Sequence, residues 1–328
     1  MGMGKEKKIL VMENNIFVTI AIPLYNKEQY IERCFNSVAK QIYKNIECII
    51  VEDCSTDNSM KIVEQLIVNY TGPIKFILIK HEQNEGLSVS RNTGIFNSKG
   101  DYIFFLDADD EITEICISSL VALVEKYPGV DMVQGGIIQR PWHAEHLNPK
   151  GKFPEIVNGN LNIKKKCYKN MPQTTWNKLV RKEFIVNNNL YFKKGLVHED
   201  GHWRFFFNKK IESLAITDKE TYIYYTVPKS IMTNPNLFMS INTHLTIAED
   251  MLDNLDIDQI EEQLQIIYNL LNFSKKRILS DEKYISLIPR CEALIARLPK
   301  ISYLIRIVIM ETWRKLKRMI KKLLKYSI

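Results

Sequence analysis

None of the six cysteines stands in a CxxC pair, and most sit inside apolar runs. That excludes a disulfide framework and points to reduced, buried thiols in a cytosolic setting. No run approaches the ~18 consecutive apolar residues of a membrane-spanning helix. Residues 1–15 carry charge but no apolar stretch long enough for a signal peptide, so they read as a leader. Met1-Gly2 lacks the rest of a myristoylation context. Internal repeats and low-complexity tracts are also missing. What remains is ordinary globular composition: 45% hydrophobic and 25% charged over 328 residues. That is enough for one large domain or two smaller ones. A soluble or peripheral protein is expected.

The charge is unevenly placed. Residues 301–328 hold eight basic residues against Glu311 alone, a surplus that equals the formal net charge of +7 for the whole chain. From Tyr303 the apolar positions Ile305, Ile309, Trp313, Leu316, Ile320 and Leu323 recur in steps of three or four. A basic amphipathic helix of this kind suits an anionic membrane surface. Docking on the protein itself or on a second copy, as a homo-oligomer, is the alternative. No nucleic-acid motif accompanies the basic residues. The expected location is therefore cytoplasmic, peripheral on the inner face of the cell membrane.

The first half alternates strand and helix patterns. Strands are expected at Phe17–Ile22, Ile46–Val51, Ile74–Ile79, Tyr102–Leu106 and Asp131–Gln134. Helices are expected at Glu28–Gln41, Asp57–Asn69, Leu87–Asn97 and Thr113–Lys126. Strand–helix alternation at this spacing implies an α/β fold with a mostly parallel, Rossmann-like sheet flanked by helices. After Gly135 the pattern loosens. Strand-like runs return at Ala215–Ile216 and Thr221–Val227, and from about Ile241 the chain reads as helical. The expected divisions are residues 16–135, 136–240 and 241–328.

Ligands of open parallel sheets bind beyond the carboxyl ends of the strands. Here those ends carry Pro23-Leu24-Tyr25-Asn26, then Glu52-Asp53, then Asn84-Glu85-Gly86, then Asp107-Ala108-Asp109-Asp110. Three acids at one strand end repel each other unless a cation or donor network compensates them. Asp107 and Asp109, two residues apart, supply the hard oxygens that suit Mg2+ or Mn2+, which commonly bind through one or two carboxylates plus substrate phosphates. On spacing alone, an acidic cap on the helix expected near Thr113 is the competing reading.

Three segments then carry a resemblance. IAIPLYNKEQYIERCFNSV, IIVEDCSTDNS and NEGLSVSRNTGIFNSKGDYIFFLDADD, in this order over about residues 16–135, resemble a family 2 glycosyltransferase of the GT-A fold, of the bacterial surface-polysaccharide type. The resemblance implies inverting transfer from a nucleotide-sugar, usually a UDP-sugar, with Mn2+ or Mg2+ as cofactor. It makes residues 16–135 the donor half, and places Pro23, Tyr25, Glu28, Asp53, Asn84, Gly86, Arg91, Asp107 and Ala108 around the nucleotide-sugar. Within that set Asp53 resembles the acid that hydrogen-bonds uracil, Asp107 the acid near ribose and metal, and Asp109 the direct metal ligand. The chain departs from many relatives in having Glu52 for Asp and Cys54 for Gly.

Inverting transfer needs a carboxylate to take the acceptor proton and positive charge on the departing diphosphate. His198-Glu199-Asp200 resembles the family's acid dyad; Asp200 is expected as base, with Glu199 as the alternative. Trp176, Asn177 and Lys178 resemble an acceptor-side segment, in which Trp176 reads equally as stacking on a sugar face or as core, and Asp110 is grouped with them, in an acceptor and catalytic-base half spanning 136–240. Histidines at 198 and 202 could mimic a zinc site with Glu199, but read better as loop histidines; His143 and His146 read as part of an acceptor-side loop. The expected acceptor is a saccharide, lipid-linked if the basic segment meets a membrane.

Two other classes compete. A sugar-nucleotidyltransferase would carry a Gly-rich basic loop where Pro23–Asn26 stands. A non-catalytic carbohydrate-binding protein on the same fold would tolerate losing the acids, all of which are present. A processive synthase would carry membrane spans and a QxxRW element, and neither is found.

Overall fold

A computed structural model describes residues 16–140, 155–158, 163–165, 167, 169, 171–226 and 237–298. The leader, the His143–His146 segment and the basic segment 301–328 lie outside these residues.

Strands β1 (Val18–Leu24), β2 (Ile46–Glu52) and β3 (Lys75–Lys80) alternate with helices α1 (Ile31–Ala39), α2 (Ser59–Asn69) and α3 (Leu87–Asn97) before β4 (Tyr102–Phe105). These four strands pair in parallel in the order β3-β2-β1-β4. Every residue of β1, β2 and β4 is buried, as expected of strands covered on both faces. The strand order reverses at β1, progressing to β2 and β3 on one side and then to β4 on the other. The crevice beyond their carboxyl ends is therefore a topological switch point.

The sheet continues through β5 (Glu111–Ile112), α4 (Cys116–Lys126), β6 (Met132–Arg140), β7 (Ile156–Asn158), β8 (Lys178–Arg181), α5 (Lys182–Asn187) and β9 (Ser213–Tyr225). The full order is β3-β2-β1-β4-β8-β6-β9-β5, with β7 on β9. β8 runs antiparallel to both β4 and β6, so the sheet is mixed beyond its first four strands. The two expected strands at Ala215–Ile216 and Thr221–Val227 are one long strand, β9. It pairs with β6 through a register shift at Gly135-Gly136. There Thr221 comes so close that a Cβ on Gly135 would lie 2.0 Å from its hydroxyl, a contact only glycine permits. Ile20, Phe35, Phe104, Leu120 and Trp176 belong to one continuous core, in which Phe35 stacks on Phe76 at 4.0 Å.

A second core is helical. It packs α6 (Glu199–Lys210), α7 (Leu237–Asp253), α8 (Ile260–Leu279) and α9 (Ile288–Arg297) around Leu245, Ala248, Leu264, Ile267 and Leu271. The two compact units interleave in sequence. Among the described residues, the sheet unit takes in 16–140, 155–158, 174–194 and 211–226, and the helical unit 163–165, 167, 169, 171–173, 195–210 and 237–298. No helix among the described residues is long and apolar enough to cross a membrane.

Candidate active site

The four strand ends named from the sequence lie on one edge of the sheet unit. β1 runs into Tyr25, which is 44% exposed, and Asn26, which takes a left-handed φ of 50°. Pro23 remains inside β1, paired with Val51. Glu28 bridges two turns: its carboxylate accepts from Asn58 N–H at 2.9 Å, while its own N–H donates to Asp57 at 3.0 Å. This reciprocal pair ties the β1–α1 turn to the start of α2.

Asp53 is 2% exposed and organises the neighbouring strand end. Its Oδ1 accepts from Glu85 N–H at 2.8 Å and lies 2.7 Å from His81 Nδ1; its Oδ2 accepts from Gly86 N–H at 2.8 Å. Asn84 donates to the Asp53 carbonyl at 3.0 Å. Gly86, at φ 88°, makes the left-handed turn that starts α3. A carboxylate has about four acceptor positions, so these three contacts leave one. His81 was not singled out from the sequence, although it directly follows β3 and the strand-end rule reaches it.

Each acid after β4 has its own counterpart. Arg91, 1% exposed, places Nη2 2.9 Å from Asp107 Oδ1. Lys27 Nζ lies 2.5 Å from Asp109 Oδ2. Arg33 Nε lies 3.1 Å from Glu111 Oε1, and the guanidinium sits 3.7 Å above the Tyr225 ring. Arg33 also donates to the Asp109 carbonyl at 2.5 Å. Asp110 has no cation among these; it accepts from Tyr222 O–H and Tyr225 N–H, both at 2.8 Å. Burial, then the charges of Asp109 and Asp107, push its carboxyl well above the usual range. The run of acids thus divides by environment. Asp110 is 1% exposed and serves the architecture, while the side chains of Asp107 and Asp109 are 26% and 16% exposed. Ala108, between them, is buried.

Carboxylate oxygens two residues apart on a fixed turn, reachable from solvent and already attracting cations, fit a hard divalent ion that completes its shell with phosphate oxygens. Asp109 and Asp107 would hold it. Among the described residues, no group of three or more His, Cys, Asp or Glu side chains forms a metal cage.

The expected acceptor residues take other places. Trp176 is 4% exposed, stacked on Tyr222 at 4.5 Å and on Tyr224 at 5.4 Å. Asn177 and Lys178 are 0% exposed. Asn177, at φ 59°, donates to the Gly135 carbonyl at 2.8 Å and accepts from Thr221 O–H at 2.6 Å, so it clamps the irregular stretch of β6. The Lys178 ammonium donates to the Thr174 carbonyl at 2.6 Å. With Asp110 they form the sheet unit's inner wall, because a polar group with satisfied partners can be buried at modest cost.

In the helical unit, Glu199 and Asp200 open α6, where acids favour the positive end of the helix dipole, and Lys209 and Lys210 close it. Glu199 is 5% exposed; Asp200 is half-buried. His198, immediately before them, is held at φ 68°. Its Nε2 lies 2.9 Å from Ser240 Oγ, and its ring stacks on His244 at 4.7 Å. Burial lowers both histidines, His244 to about 4, where His198 and Arg277 add to the effect. His202 Nε2 lies 2.6 Å from Asp250 Oδ2.

The parallel β3-β2-β1-β4 core with acids at its switch point defines an α/β protein of GT-A architecture. Residues 19–187 match Glycosyl transferase family 2, and the chain belongs to that family. It is 29% identical over 222 residues to glycosyltransferase GlyA of Streptococcus pneumoniae serotype 4, covering 63% of this chain and 30% of GlyA. It is 28% identical over 226 residues to the uncharacterized glycosyltransferase YibD of Escherichia coli, covering 66% of this chain and 63% of YibD. The chain thus spans less than two thirds of the length of these relatives. Staphylococcus aureus TarS 1-349 in complex with UDP-GlcNAc shares the fold at TM-score 0.68 and 22% identity, over 87% of this chain and 82% of that one. So does mannosyltransferase PcManGT of Pyrobaculum calidifontis, in complex with GDP-Man and Mn2+, at TM-score 0.56 and 14% identity, over 92% and 88%.

Proposed function

We propose that the chain is an inverting glycosyltransferase that moves a hexosyl or N-acetylhexosaminyl group from a UDP-sugar to a hydroxyl of a saccharide acceptor, in cell-surface polysaccharide synthesis. The observation that carries the reading is the pair of solvent-reachable carboxylates, Asp107 and Asp109, fixed at the switch point of a family 2 fold. Support for the donor comes from TarS, solved with UDP-GlcNAc and with UDP. Support for the pathway class comes from a 35% identical stretch of 114 residues in the teichoic acid poly(glycerol phosphate) polymerase of Staphylococcus epidermidis.

Asp109 and Asp107 would hold Mn2+ or Mg2+, which would supply positive charge against that developing on the departing diphosphate. Tyr25 and the Asp53-organised turn at Asn84–Gly86 receive the base and ribose. Asp200 takes the proton from the acceptor hydroxyl as its oxygen bonds to the anomeric carbon. The bond from that carbon to the diphosphate breaks, and UDP leaves with the electron pair. Asp200 is preferred to Glu199 because it is the more accessible of the two. Thermal stabilisation by a panel of nucleotides and UDP-sugars with Mn2+, followed by donor hydrolysis, tests the reading; no stabilisation by any uridine nucleotide would sink it.

The acceptor is proposed to be lipid-linked, met at the inner membrane face through residues 301–328, whose basic surplus suits anionic lipid. Flotation with phosphatidylglycerol liposomes, with and without those residues, decides this. Equal binding removes the proposal.

A further inference from the structure

The two acids of the proposed metal site have unlike counter-ions. Arg91, the partner of Asp107, is 1% exposed and lies on α3, with the Phe192 ring 5.4 Å from its guanidinium carbon. Lys27, the partner of Asp109, has a side chain 26% exposed. Its backbone is pinned: Lys27 N–H donates to Ser59 Oγ at 2.7 Å, and its carbonyl accepts from Tyr30 and Ile31, both at 2.9 Å. The Asp109 backbone is pinned as well, through Arg33. Only the lysine stem and its ammonium are left to move, and a lysine stem is flexible and carries a point charge.

The charges close in an informative way. Lys27, Arg91, Asp107 and Asp109 sum to zero, so these four groups offer no net charge to a diphosphate or to a divalent cation alone. A divalent cation on Asp109 has to displace the Lys27 ammonium from Oδ2. It also leaves two uncompensated positive charges, which a diphosphate matches.

We propose that Lys27 is a displaceable counter-ion of Asp109: a divalent cation must break the Lys27–Asp109 pair to bind, and the freed ammonium then faces the donor diphosphate. Metal and nucleotide diphosphate therefore bind as a coupled pair, each tightening the other by the same factor. The inference rests on the reading of Asp109 as metal ligand.

Mn2+ binding to the full chain, read from the electron paramagnetic resonance signal of free Mn2+, tests it with and without UDP. Lys27→Met and Lys27→Gln should each bind Mn2+ without UDP about two- to fivefold more tightly than wild type, the scale expected for losing a partly exposed competing ion pair. UDP should tighten Mn2+ by a smaller factor in both variants than in wild type. Lys27→Arg, which keeps the charge, should stay near wild type. The inference is overturned if the neutral variants, melting cooperatively, bind Mn2+ no more tightly than wild type, or if UDP tightens Mn2+ equally in all. Asp109→Asn separates the two claims. If it binds Mn2+ with UDP as wild type does, the ligand assignment fails; if it loses that binding while the lysine variants behave as wild type, only the role of Lys27 fails.

Discussion

Arg91 and Asp107 form a one-sided ion pair: the guanidinium is 1% exposed, and the carboxylate it meets at 2.9 Å is 26% exposed. The buried cation fixes the acid at the surface of the proposed donor site. Arg91→Met should cost about 3 kcal/mol at most, because Asp107 keeps some solvation where a fully buried partner would not. UDP affinity should fall with it. Arg91→Lys should recover stability better than UDP binding, since an ammonium lacks the planar fork. Calorimetric UDP titration and thermal melts of both variants check this; UDP affinity unchanged in Arg91→Met would refute it.

Asp53 works through the turn it holds. In Asp53→Asn one carboxylate oxygen becomes an amide, which cannot accept from Glu85 or Gly86 N–H. Leaving such a buried donor unmet costs about 1–3 kcal/mol. Melting should drop and UDP should bind more weakly, with amide exchange at Glu85 and Gly86 faster than in wild type. Unchanged exchange at both amides would show that the turn stands without Asp53.

The base assignment separates cleanly from donor binding. Asp200→Asn should abolish transfer while UDP binds as before, and Glu199→Gln should retain measurable turnover. A UDP-sugar transfer assay alongside UDP titration reads both. Turnover surviving in Asp200→Asn but lost in Glu199→Gln would move the base to Glu199.

His244 gives the helical unit a dependence on acid. Its value of about 4 in the folded protein lies below the ordinary 6.5, so the unfolded chain takes the proton first. Its contribution is complete above pH 6.5 and is lost as pH falls toward 4, a loss of roughly 3 kcal/mol. Nδ1 of His244 has no hydrogen-bond partner among the described residues, and its ring packs on His198 and Phe273. His244→Phe should therefore flatten the decline in melting temperature between pH 7.5 and 5. A decline as steep as wild type would assign the acid sensitivity elsewhere.

The parallel half of the sheet was largely legible in the sequence. Buried parallel strands read as unbroken apolar runs, and their polar ends fall where ligands bind, so β1 to β4 and the acids after them stand as expected. The division of labour among those acids was not legible. Asp110 is told from Asp109 only by Tyr222 and Tyr225, more than a hundred residues downstream. Trp176, Asn177 and Lys178 read as acceptor-side residues by resemblance, because nothing local shows that β8 is threaded between β4 and β6. Lys27 and Arg33 belong to no spacing rule; their importance comes from where the turn into α1 meets the loop after β4. The acid pair at 199 and 200 was singled out by resemblance alone, since acids opening a helix are common for dipole reasons.

Cys54 adds a practical consequence. Of the six thiols it alone is exposed, and it sits beside Asp53 in a left-handed turn at φ 61°. A maleimide fluorophore should react at this one position in the native chain, without any engineered cysteine. The label would sit beside Asp53 at the edge of the proposed donor site, where its emission could report nucleotide arrival in real time.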